Sequence, residues 1–106
     1  MAKRTVPYED ILYQDLQDPE EAAAYLNAAL EDDSENAPEV FLLALRDVAK
    51  ARGIRQIAHD TQLSRESLYR TLSRRGNPRF STLEAVLESV GLKLTVEVKA
   101  PETKAA

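Results

Sequence analysis

The chain has 106 residues, 43% hydrophobic and 30% charged, with a formal net charge of −4. That length suits one domain, and the balance is that of a globular protein, which excludes a disordered or fibrous chain. Cysteine is absent and histidine occurs once, which excludes a disulfide framework and a thiolate or multi-histidine metal centre.

Met1 to Pro7 lead into Tyr8-Glu9-Asp10, where a secretory signal would need its apolar stretch, so no leader and a cytoplasmic location are expected. No run approaches membrane-spanning length. Tyr8, Ile11, Leu12 and Leu16 are spaced for a short amphipathic turn. The first strong helix start is Asp18-Pro19-Glu20-Glu21: Asp18 is placed to accept from a free backbone N–H, Pro19 fits the first helical position, and the glutamates suit the positive dipole end. A helix to about Asp32 is predicted, with Ala22, Leu26, Ala29 and Leu30 forming one buried stripe, and Tyr13 and Tyr25 read as packing residues. Asn36-Ala37-Pro38-Glu39 opens a second helix running to Arg52. Its apolar surface is wider than one stripe, which marks a central helix with Arg46 and Lys50 at the solvent edge, ended by Gly53 as a left-handed cap.

Residues 54–61 and 64–72 predict two short helices in near succession, broken at Gln62-Leu63, with Ser64 as the N-cap of the second. Ala58 is the small residue that such a crossing needs, and Ile57, Leu63, Leu68 and Leu72 supply the apolar contacts. Arg74-Arg75-Gly76-Asn77-Pro78-Arg79-Phe80 is a loop by composition. Ser81-Thr82-Leu83-Glu84 has the form of a capping box opening a last helix, with Leu83, Val86, Leu87 and Val90 buried and Gly91 at its end. Leu92, Leu94, Val96 and Val98 then alternate with Lys93, Thr95, Glu97 and Lys99, the pattern of one C-terminal β-strand. No second strand is evident, and an unpaired apolar strand is unstable alone, so pairing across a homodimer is expected. Residues 100–106 are expected to fray.

The net charge hides a segregation along the chain. Residues 1–36 hold ten acidic side chains against two basic ones, residues 37–80 hold nine basic against four acidic, and the remainder is nearly balanced. The predicted organisation is one domain overall: an acidic N-terminal helical extension (1–36), a helix-turn-helix core with the C-terminal strand (37–99), and a flexible tail (100–106). The fold class is all-α.

Duplex reading by a helix-turn-helix needs a helix whose first turns expose polar groups to base edges while a supporting helix pins its back. Residues 54–72 match that requirement. Ser64, Arg65, Glu66, Ser67, Tyr69 and Arg70 surround the apolar Leu68. Arg65 is the expected guanine reader, since a guanidinium spans O6 and N7, while Glu66 can accept from cytosine N4 and Tyr69 suits a thymine methyl or sugar. Arg74, Arg75, Asn77 and Arg79 are placed for the sugar-phosphate chain, setting affinity and not sequence. The bland alternative is an all-helical core with a solvated arginine face. His59 reads as a surface residue, and the acidic pairs Glu20-Glu21 and Asp32-Asp33 sit at exposed helix ends, so neither catalysis, a metal nor a cofactor is expected.

The run from Gln56 to Ser73, followed by Gly76-Asn77-Pro78-Arg79-Phe80-Ser81-Thr82-Leu83, resembles the helix-turn-helix addiction-module antidote (antitoxin) proteins, which are phage-repressor-like (XRE/Cro-CI-like). Residues 25–31 and 44–53 are similar to that family's N-terminal helices, so the likeness covers roughly residues 8 to 98. The resemblance implies a phage-repressor-like helical bundle that binds a palindromic operator on double-stranded DNA. It also implies an antitoxin that neutralises a small basic toxin of the RelE/HigB type and represses their shared promoter. The chain departs from the pattern at two places. Gln62 stands where many such motifs have glycine, and the supporting helix lacks the usual Thr/Ser-Gln pair, a role left to Arg55 and Gln56. Two other readings are a stand-alone prophage-type regulator and an interaction module whose acidic third captures a basic partner without binding DNA.

Overall fold

The computed structural model describes residues 8–31 and 35–99. Among them lie six helices: α1 (Tyr8–Leu16), α2 (Pro19–Leu30), α3 (Ala37–Arg52), α4 (Ile54–Thr61), α5 (Arg65–Thr71) and α6 (Phe80–Ser89). α3 is the axis of the structure because its apolar residues point in more than one direction. Phe41, Leu42, Ala44, Leu45, Val48, Ala49 and Ala51 are all buried, against α1 and α2 on one side and α4 on the other. The innermost side chains Leu45, Val48, Ile57, Leu68, Leu72, Val86 and Val90 come from α3 through the turn that ends α6, so one core ties every element after α2 together. Each such leucine or valine contributes about 1.5–3 kcal/mol relative to exposure.

The helix ends follow local chemistry. Asp18 adopts an extended backbone and its Oδ1 accepts from the Glu20 N–H at 3.0 Å, with Pro19 opening α2. α2 buries Ala22, Leu26 and Ala29, but Leu30, its last residue, is 55% exposed on the wall of an open pocket that it shares with Phe41 and Leu92. The predicted end near Asp32 lies outside the described residues. α1 is a full two turns with Leu16 buried and Leu12 and Tyr13 partly so, whereas Ile11 stands half exposed. Its end is tied to α3 by a reciprocal pair. Gln17 Nε2 donates to the Ala51 carbonyl and the Arg52 guanidinium donates to the Gln17 carbonyl, both at 3.3 Å. Tyr25 is a packing residue that also joins α2 to α3, its hydroxyl donating to Asp47 Oδ2 at 2.7 Å.

Three chain reversals shape the second half. Gly53 (φ 111°) both ends α3, donating to the Ala49 carbonyl at 2.9 Å, and starts α4. At the end of α6 the Leu92 N–H reaches the Leu87 carbonyl at 2.8 Å and the Gly91 N–H reaches Glu88 at 3.0 Å, a complete Schellman cap around Gly91. The same pair of bonds closes α4, from Leu63 to Ala58 at 3.1 Å and from Gln62 to His59 at 3.2 Å, here with glutamine at φ 61°. α6 starts two residues earlier than the Ser81 capping box predicts. Arg79, extended after Pro78, is the N-cap residue and makes no side-chain cap bond, while its carbonyl accepts from the Leu83 N–H at 3.0 Å.

The predicted C-terminal strand is corrected for the single chain. Residues 92–99 are neither helix nor strand, with Leu92 half-buried, Leu94 39% exposed, and Val96 and Val98 98% and 94% exposed. The alternation is present in the sequence, but a strand exists only through a hydrogen-bonded ladder, and no other described segment offers an edge. The predicted frayed tail lies outside the described residues.

Candidate nucleic-acid interface

The backbone of Ser64 is extended, and its Oγ accepts from the Ser67 N–H at 3.0 Å, so the first turn of α5 is closed from the side of the turn. Leu68 and Leu72 point inward at 0% exposure and Leu63 packs partly behind them, which leaves little rotational freedom to the helix. Ala58, the small residue of α4, is buried at 8%. Arg65, Glu66 and Arg70 consequently face water, and Ser67 and Tyr69 are half-buried on the flanks. The surface is therefore a short helix presenting two guanidiniums and one carboxylate in its first two turns.

The loop after α5 extends this surface. Arg74, Arg75, Asn77 and Arg79 are all exposed. Gly76 fixes the course of the loop: its N–H donates to the Ser73 carbonyl at 2.9 Å, and a Cβ there would overlap the backbone carbonyl of Thr71. Arg74 lies 3.5 Å from Glu39 at the start of α3 and remains 66% exposed. Among the described residues no carboxylate pairs with Arg55, Arg65, Arg70, Arg75 or Arg79. Unpaired, exposed guanidiniums of one sign on neighbouring elements form a field suited to a polyanion.

Of the two residues expected to serve at the start of α4, Arg55 is exposed and free of carboxylates, but Gln56 is engaged. Its Nε2 donates to Asp60 Oδ1 at 2.8 Å, one turn along the same helix. Asp60 Oδ2 accepts from Ser89 Oγ of α6, also at 2.8 Å. These hydrogen bonds, first from Ser89 and then from Gln56, hold the Asp60 carboxyl below its usual value. His59 is a surface residue, 84% exposed, with Nδ1 3.6 Å from the same carboxylate. The Gln56–Asp60–Ser89 chain joins α4 to α6 and so braces the helix that supports α5. Sequence reading missed it because the Asp60 and Ser89 positions are 29 residues apart and carry no periodic signal.

Two further contacts reach the interface from α3. Glu39 meets Arg74, and the Lys50 ammonium lies 5.9 Å from the centre of the Tyr69 ring. The spacing of Glu39, Arg46 and Lys50 places them in one row on α3. That row is a detectable signal, but not one that names its neighbour. Among the described residues no cluster of His, Asp or Glu is arranged to hold a metal, and no helix is long and apolar enough to cross a membrane.

A family model described as "Probable addiction module antidote protein" matches residues 9–98. An uncharacterized protein of Haemophilus influenzae is 43% identical over 82 residues, which span 77% of this chain and 81% of the relative. No solved structure matches the chain.

Proposed function

We propose the function of this chain from one premise: it belongs to the family of probable addiction module antidote proteins. An antidote implies a toxin that it neutralises. We infer that the chain is the antitoxin of a type II toxin-antitoxin module and a sequence-specific DNA-binding repressor of its own operon. It acts by binding and not by catalysis. α4 and α5 form the helix-turn-helix of a phage-repressor-like bundle, with α5 as the helix that enters the major groove.

One observation carries the DNA reading: α5 stands with Leu68 fully buried behind it and Arg65, Glu66 and Arg70 free in front. Arg65 reads guanine, while Arg75, Asn77 and Arg79 grip phosphates. A homodimer places two copies of α5 about 34 Å apart on a palindromic operator. The exposed Leu94, Val96 and Val98 support pairing of residues 92–99 between copies, since each copy supplies the edge the other lacks. The acidic α1–α2 region supports a basic partner, which we take to be a toxin of the RelE/HigB type in the cytoplasm.

The test measures binding to the DNA upstream of the chain's own gene and to a mixed-sequence duplex. Arg65→Ala loses about 1–3 kcal/mol of discrimination between them, whereas Arg75→Ala weakens both alike. Failure of any duplex to bind at low salt, with a basic protein co-purifying, favours the pure interaction module instead. Removing residues 92–106 yields a monomer in sedimentation, and a truncated chain that stays dimeric rejects the paired-strand dimer.

A further inference from the structure

We propose that Lys50, on α3 and outside the α4–α5 unit, is a DNA-phosphate contact held at the binding surface by the ring of Tyr69. This rests on the reading of α5 as the groove helix. Lys50 is exposed near the end of α3, and its ammonium stands 5.9 Å from the Tyr69 ring centre, within the reach of a cation–π attraction. Although the chain carries 18 carboxylates, none pairs with Lys50 among the described residues. Its charge is therefore available.

The placement of α3 makes that charge useful. Glu39, Arg46 and Lys50 form one row, touched at one end by Arg74 of the loop after α5 and at the other by Tyr69 of α5 itself. A ridge that meets both the helix and its following loop flanks the same face that they present. Tyr69 is half-buried on a helix whose inner face is anchored by the fully buried Leu68 and Leu72, so its ring is carried on a fixed backbone. A lysine on a flexible stem loses rotamer freedom when it settles on a phosphate, and a ring that already restrains the stem reduces that loss. An ammonium is a point charge without the bidentate geometry that reads a base, so its phosphate contact is blind to sequence.

Counterion release provides a readout that a merely structural residue would not move. The full chain and its variants are titrated with a mixed-sequence DNA duplex over a salt series. Lys50→Met lowers the slope of log K against log salt by about 0.9 per bound chain, with equal weakening on upstream and mixed-sequence DNA. Lys50→Arg and Tyr69→Phe keep the wild-type slope, and Tyr69→Leu lowers it. A wild-type slope in Lys50→Met or Lys50→Gln overturns the contact even if affinity falls, and a wild-type slope in Tyr69→Leu overturns the role of the Tyr69 ring. A wild-type protein that binds no duplex at low salt overturns the DNA reading and this inference together, whereas binding with an unmoved slope overturns this inference alone.

Discussion

Replacing Gln62 by glycine isolates the cost of the turn that mounts α5. Gln62 is the one non-glycine residue with positive φ among the described residues, at φ 61° and ψ 30°. Its side chain is exposed and makes no hydrogen bond among the described residues, while its backbone N–H and that of Leu63 close α4. Glycine therefore loses no contact and removes the clash between Cβ and the backbone. The left-handed conformation costs a non-glycine residue about 1–2 kcal/mol, and glycine returns about 0.4–1 kcal/mol through a looser unfolded chain. The balance is a stabilisation of about 0.5–1 kcal/mol, or roughly 3–6 °C in Tm for a chain of this size. Gln62→Ala keeps the strain and removes the side chain, so it should lie within about 0.5 kcal/mol of the wild type. Urea denaturation with matched m values measures both, and binding to DNA is unchanged in Gln62→Gly because both cap bonds persist. Loss of stability in both variants refutes the reasoning, for it would mean that the glutamine side chain holds the turn.

Gly76→Ala places a Cβ against the Thr71 carbonyl, and backbone cannot yield as a side-chain tip does, so a loss of at least about 2 kcal/mol is expected in thermal denaturation. Glu39→Gln frees Arg74. An exposed pair is worth under about 1 kcal/mol, so Tm barely moves, while binding to a mixed-sequence duplex tightens at low salt and its salt slope steepens. Ser89→Ala removes the hydrogen bond that does most to lower the Asp60 pKa. A carboxyl held below its unfolded value, about 3.9, contributes stability that is complete above that value and vanishes as pH falls through the folded one. The variant is therefore less stable than the wild type at neutral pH, and the gap closes in acid, as paired denaturation curves at neutral and acidic pH would record.

The helices were legible because each announces itself locally. Asp18-Pro19-Glu20-Glu21 needs only its own backbone to start α2, and the wide apolar surface of α3 can be satisfied only at the centre of a helical bundle. Errors fell where tertiary placement overrides the local pattern. Leu30 continues the stripe of α2 by periodicity, yet at the last position of the helix it borders an open pocket and stays 55% exposed. Ser81 and Glu84 carry the letters of a capping box, but Arg79 already has the extended backbone of an N-cap and the helix is under way at Phe80. The strand pattern of residues 92–99 has no edge to complete it within one chain, and pairing is a property of two segments.

The candidate interface divides along the same line. Arg65, Glu66 and Arg70 could be placed outward from Leu68 alone, since a helix with one buried position has only one way to face. What positions that helix could not. Gln56, expected at a phosphate, is drawn to Asp60, and Asp60 is drawn to Ser89 across a gap that no sequence window spans. Arg74, expected at the sugar-phosphate chain, leans on Glu39, a residue whose local role as an acidic helix start is complete without it. In both cases the side chain had a complete local explanation, and its second partner arose from the packing of α3 and α6 around α4. The outward residues of such a helix can thus be assigned from its periodicity, whereas those that brace or restrain it emerge only once the neighbouring helices are in place.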